Sequence, residues 1–106
     1  MKTLTKYENL YSHEFEQKLK ENPDAILLDV RTVAEFQSER IPNAINMDIM
    51  KSDFLEKIGE LDKTKTYLVY CRSGARSGQA CGYMSGEGLT TFNLAGGIIN
   101  WRGETE

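Results

Sequence analysis

The sequence predicts an α/β fold of three layers, a mostly parallel five-stranded sheet with helices on both faces. Three observations carry this. Short apolar runs rich in strand formers alternate with helical patterns along the chain, the pattern of a parallel sheet with crossover helices. The two clearest runs, Ala25 to Val30 and Tyr67 to Tyr70, are continuous rather than alternating. Continuous runs suit strands covered on both faces. Finally, Asp29, Met47, Asp48, Cys71 and Ala95 to Gly97 all fall at or just past expected carboxyl ends of strands. Ligands bind at that rim in open α/β sheets.

The elements follow in order. The first few residues are polar and read as a loose start. Glu8 to Tyr11 reads as a short edge strand. Ser12 is the expected N-cap of the first helix, with Glu14 and Glu16 in its first turn and Phe15 and Leu19 turned to the core. Asn22 and Pro23 stop it. After the strand at 25–30, Thr32 and Glu35 have the spacing of a capping box, with Phe36 on the inner side of the helix they open. Arg40 to Asn43 is turn chemistry, and Ala44 to Met47 is the third strand. Ser52 is the expected cap of a helix to about Leu61, with Phe54, Leu55, Ile58 and Leu61 facing inward. A solvated connection, Asp62 to Lys65, leads to the strand at 66–70. The next helix, about Ser77 to Ser85, places Ala80, Cys81 and Met84 on one face. Gly78, Gly82 and Gly86 weaken it, at ~1 kcal/mol for each interior glycine. Thr90 to Leu94 is the fifth strand. Gly96 and Gly97 turn into a last short helix carrying Trp101.

The totals bound the function. A chain of 106 residues is one domain, 1–106, large enough for a core without staples. The net charge of −3, from 13 basic and 16 acidic side chains with no basic run, argues against a nucleic-acid partner. The 2 cysteines form no C-x-x-C, and the lone His13 lies far from them in sequence. Neither a disulfide scaffold nor a metal site is indicated. No stretch approaches the ~18 apolar residues of a membrane span. No apolar secretory core follows the N-terminus. The expected setting is the reducing cytoplasm, away from membranes.

The chemistry concentrates at Thr66 to Ser77. A buried strand ends abruptly at Cys71, and Arg72, Ser73, Gly74, Ala75 and Arg76 precede the helix with no large apolar residue among them. Where a tight loop enters a helix, successive N–H groups point into one concavity that binds anions, and the helix dipole adds positive charge. Two arginines add formal charge. Such surroundings lower a thiol pKa from ~8.5 into the range ~3.5–7.5. Cys71 therefore reads as an activated nucleophile. Cys81 reads as a small buried side chain, the commoner use of a free cysteine.

Three motifs resemble the rhodanese-type domain, specifically a single-domain sulfurtransferase. Leu27 to Phe36 resembles the first signature, and Arg40 to Asn46 continues it. Cys71 to Ser77 resembles the active-site loop, and Ala95 to Trp101 the closing signature. The resemblance implies that Cys71 carries a persulfide. It implies that Arg72, Ser73, Gly74, Ala75 and Arg76 bind the transferred sulfur and its donor. For Arg76 two roles stay open: steering an anionic donor, or bracing the loop against a carboxylate such as Asp29 or Glu35. Asp29 and Arg31 read as scaffold and Trp101 as core. The chain departs from the family at Arg40, where a His is common, and at Asn43, where a Gly is common. Asn tolerates the left-handed conformation, so the turn survives.

The same fold resembles cell-cycle dual-specificity phosphatases, whose loop is Cys-x5-Arg. Here Arg72, Ser73, Gly74 and Ala75 alone separate Cys71 from Arg76, a smaller cradle that suits one added sulfur atom. The expected activity is a thiosulfate sulfurtransferase with a small-molecule sulfur donor and acceptor, or a protein in either role. No metal or organic cofactor is expected. The alternatives are a cysteine phosphatase or arsenate reductase, and a non-enzymatic sulfur carrier or interaction module.

Overall fold

The computed structural model describes residues 7–106; the loose start expected at the N-terminus lies outside them. The described elements, in order, are β1 (Glu8–Leu10), α1 (Ser12–Glu21), β2 (Ile26–Asp29), α2 (Val33–Ser38), β3 (Ile45–Asn46), α3 (Phe54–Gly59), β4 (Thr66–Tyr70), α4 (Ala75–Gly86) and β5 (Thr90–Leu94). A 3₁₀ turn at Ile98–Asn100 closes the series. The strands form one sheet in the order β1-β5-β4-β2-β3, and each adjacent pair is parallel. The α/β sheet expected from the sequence is thus present. None of the described helices is long and apolar enough to cross a membrane.

β4 is the middle strand, and its continuous apolar run feeds two cores. Tyr67 and Val69 join Leu28, Phe54, Ile58, Ala80, Cys81 and Met84 on the face covered by α3 and α4. Leu68 and Tyr70 join Leu27, Leu94 and Phe15 of α1 on the other. Side chains alternate between faces along a strand, so a strand covered on both sides has no polar positions to spare. Full burial of such side chains stabilises by about 1.5–3 kcal/mol each. Trp101 meets Phe15 edge to face, with ring centroids 5.9 Å apart.

Several helix ends differ from expectation. Ser12 is the first residue of α1 rather than its cap. Its hydroxyl instead accepts the Arg102 N–H at 2.8 Å, fastening the C-terminal segment. Ser52 does not cap α3, which starts after Asp53. With α3 cut to a turn and a half, Phe54 and Ile58, one above the other at i, i+4, are buried and Leu61 just past the helix packs on the same core, whereas Leu55 is 59% exposed. β3 is shortened to two residues. The Asn46 amide at its end bonds the carbonyls of Asp29 and Arg31, both at 3.0 Å.

The departures at Arg40 and Asn43 have local explanations. Asn43 has φ 72, the left-handed conformation the turn requires. Arg40 exchanges backbone hydrogen bonds with Glu106 at 3.0 and 2.8 Å. Its guanidinium lies over the half-buried Phe36 ring, 4.9 Å from the centroid. Its Nε also pairs with Glu106 Oε2 at 3.5 Å, so the side chain adds to the backbone bonds that hold the C-terminal segment on the body of the fold.

Candidate active site

Four segments meet at the carboxyl end of the sheet: the β2–α2 corner, the β4–α4 loop, the N-terminal turn of α4, and the turn after β5. α4 begins at Ala75, two residues earlier than the sequence suggested. The loop proper is therefore only Arg72, Ser73 and Gly74, and Ala75 and Arg76 belong to the first helical turn. Gly74 makes the join with φ 103, a conformation that costs a side-chain-bearing residue about 1–2 kcal/mol.

This geometry encloses the Cys71 sulfur. The residue is 1% exposed. Its Sγ accepts the Gly74 N–H at 3.1 Å and the Ser77 hydroxyl at 3.4 Å. Burial pushes the thiol pKa up. The Ser77 hydroxyl and the N–H groups of Ser77, Gly74 and Ser73 outweigh it, and the thiol lies below its ordinary value. The Gly74 and Ser77 N–H groups belong to the start of α4, where the first N–H groups have no intrahelical partner and need an acceptor. Nothing in the residue spacing marks Ser77 as a partner of the sulfur. It sits on the inner face of the first turn of α4, fully buried.

The two arginines differ. Arg76 forms a bidentate pair with Glu35, Nη1 to Oε1 at 2.9 Å and Nη2 to Oε2 at 3.0 Å. This is the bracing arrangement, made with Glu35 and not with Asp29, which pairs with Arg31. The Arg76 hydrogen bonds, opposed by partial burial and aided by the Thr32 N–H, hold the Glu35 carboxyl down at about 2. Glu35 also closes the capping box, with its backbone N–H bonded to Thr32 Oγ1 at 3.2 Å. One carboxylate thus joins the start of α2 to the start of α4. Arg72 is exposed and its guanidinium has no partner among the described residues. It lines a cleft of about 410 Å³ beside the loop, with Ala34, Ser38, Glu39, Ile98 and Ile99.

Asp29 and Arg31 act as scaffold. They form a buried ion pair, Nη2 to Oδ2 at 2.6 Å, and the same Nη2 bonds the Glu39 carbonyl at 2.6 Å. The pair fixes the β2–α2 corner that presents Glu35. From the other side, the Gly96–Gly97 turn lies on the loop. The Cys71 carbonyl accepts the Ile98 N–H at 2.9 Å, and the Arg72 carbonyl accepts the Ile99 N–H at 3.2 Å. A Cβ at Gly97 would collide with the Arg72 carbonyl. The closing signature thus acts as a backbone clamp.

Cys81 is fully buried in the α3–α4 core, and burial pushes its thiol up to about 12. The two thiols should therefore separate in solution. Iodoacetamide alkylation of Cys71 should show a midpoint below the free-thiol ~8.5, and Cys81 should stay unmodified while the chain is folded. Peptide mapping of the alkylated protein reads both. A Cys71 midpoint at or above the free value would mean that the N–H ring does not favour the thiolate. Among the described residues no cluster of His, Cys, Asp and Glu has the arrangement of a metal site.

The family model described as "Rhodanese-like domain" matches residues 12–104. A protein named "Sulfurtransferase" from Allochromatium vinosum is 38% identical over 91 residues, covering 85% of this chain and 83% of that one. "Thiosulfate sulfurtransferase GlpE" from Pseudomonas savastanoi pv. phaseolicola is 33% identical over 79 residues, 74% of this chain and 73% of that one. A crystal structure of a rhodanese-related protein from Thermoplasma volcanium superposes with TM-score 0.78 at 33% identity, over 90% of both chains. A rhodanese-like domain protein from Staphylococcus aureus does so with TM-score 0.79 at 27% identity, over 92% of this chain and 93% of that one.

Proposed function

This chain belongs to the rhodanese-like domain family, and from that premise we propose that it is a thiosulfate- or persulfide-using sulfurtransferase with Cys71 as its sulfur carrier. Sulfurtransferase activity as such is supported by its relatives. The observation that carries the finer reading is the sulfur cradle, where Cys71 Sγ accepts the Gly74 N–H at 3.1 Å under a bidentately braced loop.

The reaction is double displacement through a covalent intermediate. The Cys71 thiolate attacks the outer sulfur of thiosulfate. A Cys71 Sγ–S bond forms as the donor's S–S bond breaks, and sulfite leaves with the electron pair. The terminal persulfide sulfur then carries the negative charge and accepts hydrogen bonds from the loop N–H groups and the Ser77 hydroxyl. A nucleophile, cyanide or a thiolate, attacks that sulfur, and the Cys71 thiolate departs. Neither step requires a proton to be moved, so no histidine is needed. Arg72, exposed and unpaired, meets the anionic donor, and the body of a larger thiol or a protein acceptor lies along the adjoining cleft. Arg76 acts through Glu35 to hold the loop. The whole chain works as one domain in a reducing, cytoplasmic setting, consistent with two free thiols.

Incubation with thiosulfate followed by mass spectrometry should show one added sulfur atom, mapped to the Cys71 peptide and removed by cyanide. p-Nitrophenyl phosphate should be hydrolysed at background, because the short loop lacks donors for a phosphoryl group's peripheral oxygens. Each unmet oxygen forfeits about 1.5–3 kcal/mol. Cys71-dependent phosphatase activity without a sulfur adduct would overturn the proposal.

A further inference from the structure

Asn93 lies on β5, 3% exposed, on the face that meets α4. Its Nδ2 donates to Asn9 Oδ1 on β1 at 2.9 Å and to the Gly74 carbonyl at 3.3 Å. Its Oδ1 is buried with no hydrogen-bond partner among the described residues. A buried acceptor left unpaired costs stability, and an apolar side chain of similar shape would avoid that cost. The amide at this position therefore serves through its donor side.

That donor reaches the softest joint of the loop. Glycine restricts its own backbone least, and Gly74 turns the chain from β4 into α4. Its N–H bonds Cys71 Sγ and its carbonyl receives the first helical bond, from the Gly78 N–H at 3.0 Å. A second hydrogen bond from a sheet strand limits rotation at this joint. The inward aim of the neighbouring N–H groups depends on that rotation.

We propose that Asn93 is a positioning residue for the active-site loop, tying the Gly74 carbonyl to β5 so that the N–H ring stays directed at the Cys71 sulfur. This rests on the reading of Cys71 as the nucleophile. Asn93→Leu should raise the Cys71 alkylation midpoint by about half to one pH unit and slow sulfur transfer about three- to tenfold. Its melting temperature should stay close to that of the wild type, because the orphaned acceptor disappears as well. Thr91→Val, on the same strand and face, should leave the midpoint unchanged. Asn9→Ala, at an exposed position, should shift it in the same direction by less, and decides the matter if Asn93→Leu does not fold. An unchanged midpoint in the folded Asn93 and Asn9 variants, or an equal shift in Thr91→Val, would overturn the assignment. The midpoint reads the thiol whatever reaction it serves. A wild type that takes up no sulfur would therefore remove the sulfurtransferase reading and leave this inference standing.

Discussion

Cys71→Ser is expected to abolish sulfur transfer, lowering the rate by ~10³-fold or more, with little change in fold. A serine hydroxyl is not ionised near neutral pH, and its oxygen cannot form the disulfide-like bond that stores the transferred atom. The side chain is nearly isosteric, and its surroundings are already polar on the side of the loop. The Gly74 N–H and the Ser77 hydroxyl that reach Sγ at 3.1 and 3.4 Å can donate to an oxygen instead. The melting temperature should therefore move by only a few degrees. Cys81→Ser gives the converse result. It puts a hydroxyl into the α3–α4 core, where the thiol is fully buried, so stability falls while transfer persists. Thiosulfate:cyanide assays with thermal unfolding of both variants test this. Comparable loss of activity in the two would remove the single-carrier assignment.

Gly97→Ala should damage both stability and activity. Gly97 has φ 68, where an alanine is strained. Its new methyl would also strike the Arg72 carbonyl and the Ser73 nitrogen, which are backbone atoms and cannot rotate away. Overpacking of this kind costs about 1–3 kcal/mol. The relief available is to push the loop off the Gly96–Gly97 turn. That movement carries the Cys71 and Arg72 carbonyls away from the Ile98 and Ile99 N–H groups and misdirects the ring around Sγ. A displacement near 1 Å at reacting groups can cost ~100-fold in rate. Gly86→Ala is the matched control. It lies at the end of α4 with nothing within 4 Å of the added carbon. It should leave transfer unchanged and gain up to ~1 kcal/mol of helix stability. A Gly97→Ala enzyme of wild-type activity would show that the closing turn does not clamp the loop.

What could be read from the sequence was local. The continuous runs of β2 and β4 announced strands covered on both sides. The abrupt end of the second run put Cys71 at the rim. Thr32 and Glu35, three residues apart, declared their own capping box. Each of these signals depends on residues within one helical turn or one strand, so periodicity and composition carry it. The three ordered motifs added the family, because they preserve the backbone requirements of one loop and its neighbours.

The tertiary structure decided everything that depends on residues distant in sequence. Spacing could not choose between two roles for Arg76; the fold brings the first turns of α2 and α4 to the same rim, with Glu35 2.9 Å from it. Leu55 fitted the apolar stripe on paper, but a helix of a turn and a half offers only one narrow inward face. Ser12 looked like a cap until the C-terminal segment claimed its hydroxyl. α4 starts at Ala75, straight after the left-handed Gly74, and this puts Ser77 on the sulfur, while the Gly96–Gly97 turn holds the loop from the end of β5. Asn93 carried no signal, since a lone Asn in a strand resembles a tolerated exception until Gly74 is seen across from it. Hydrogen bonds and ion pairs act over about 3 Å, and only the folded chain sets which distant groups come that close.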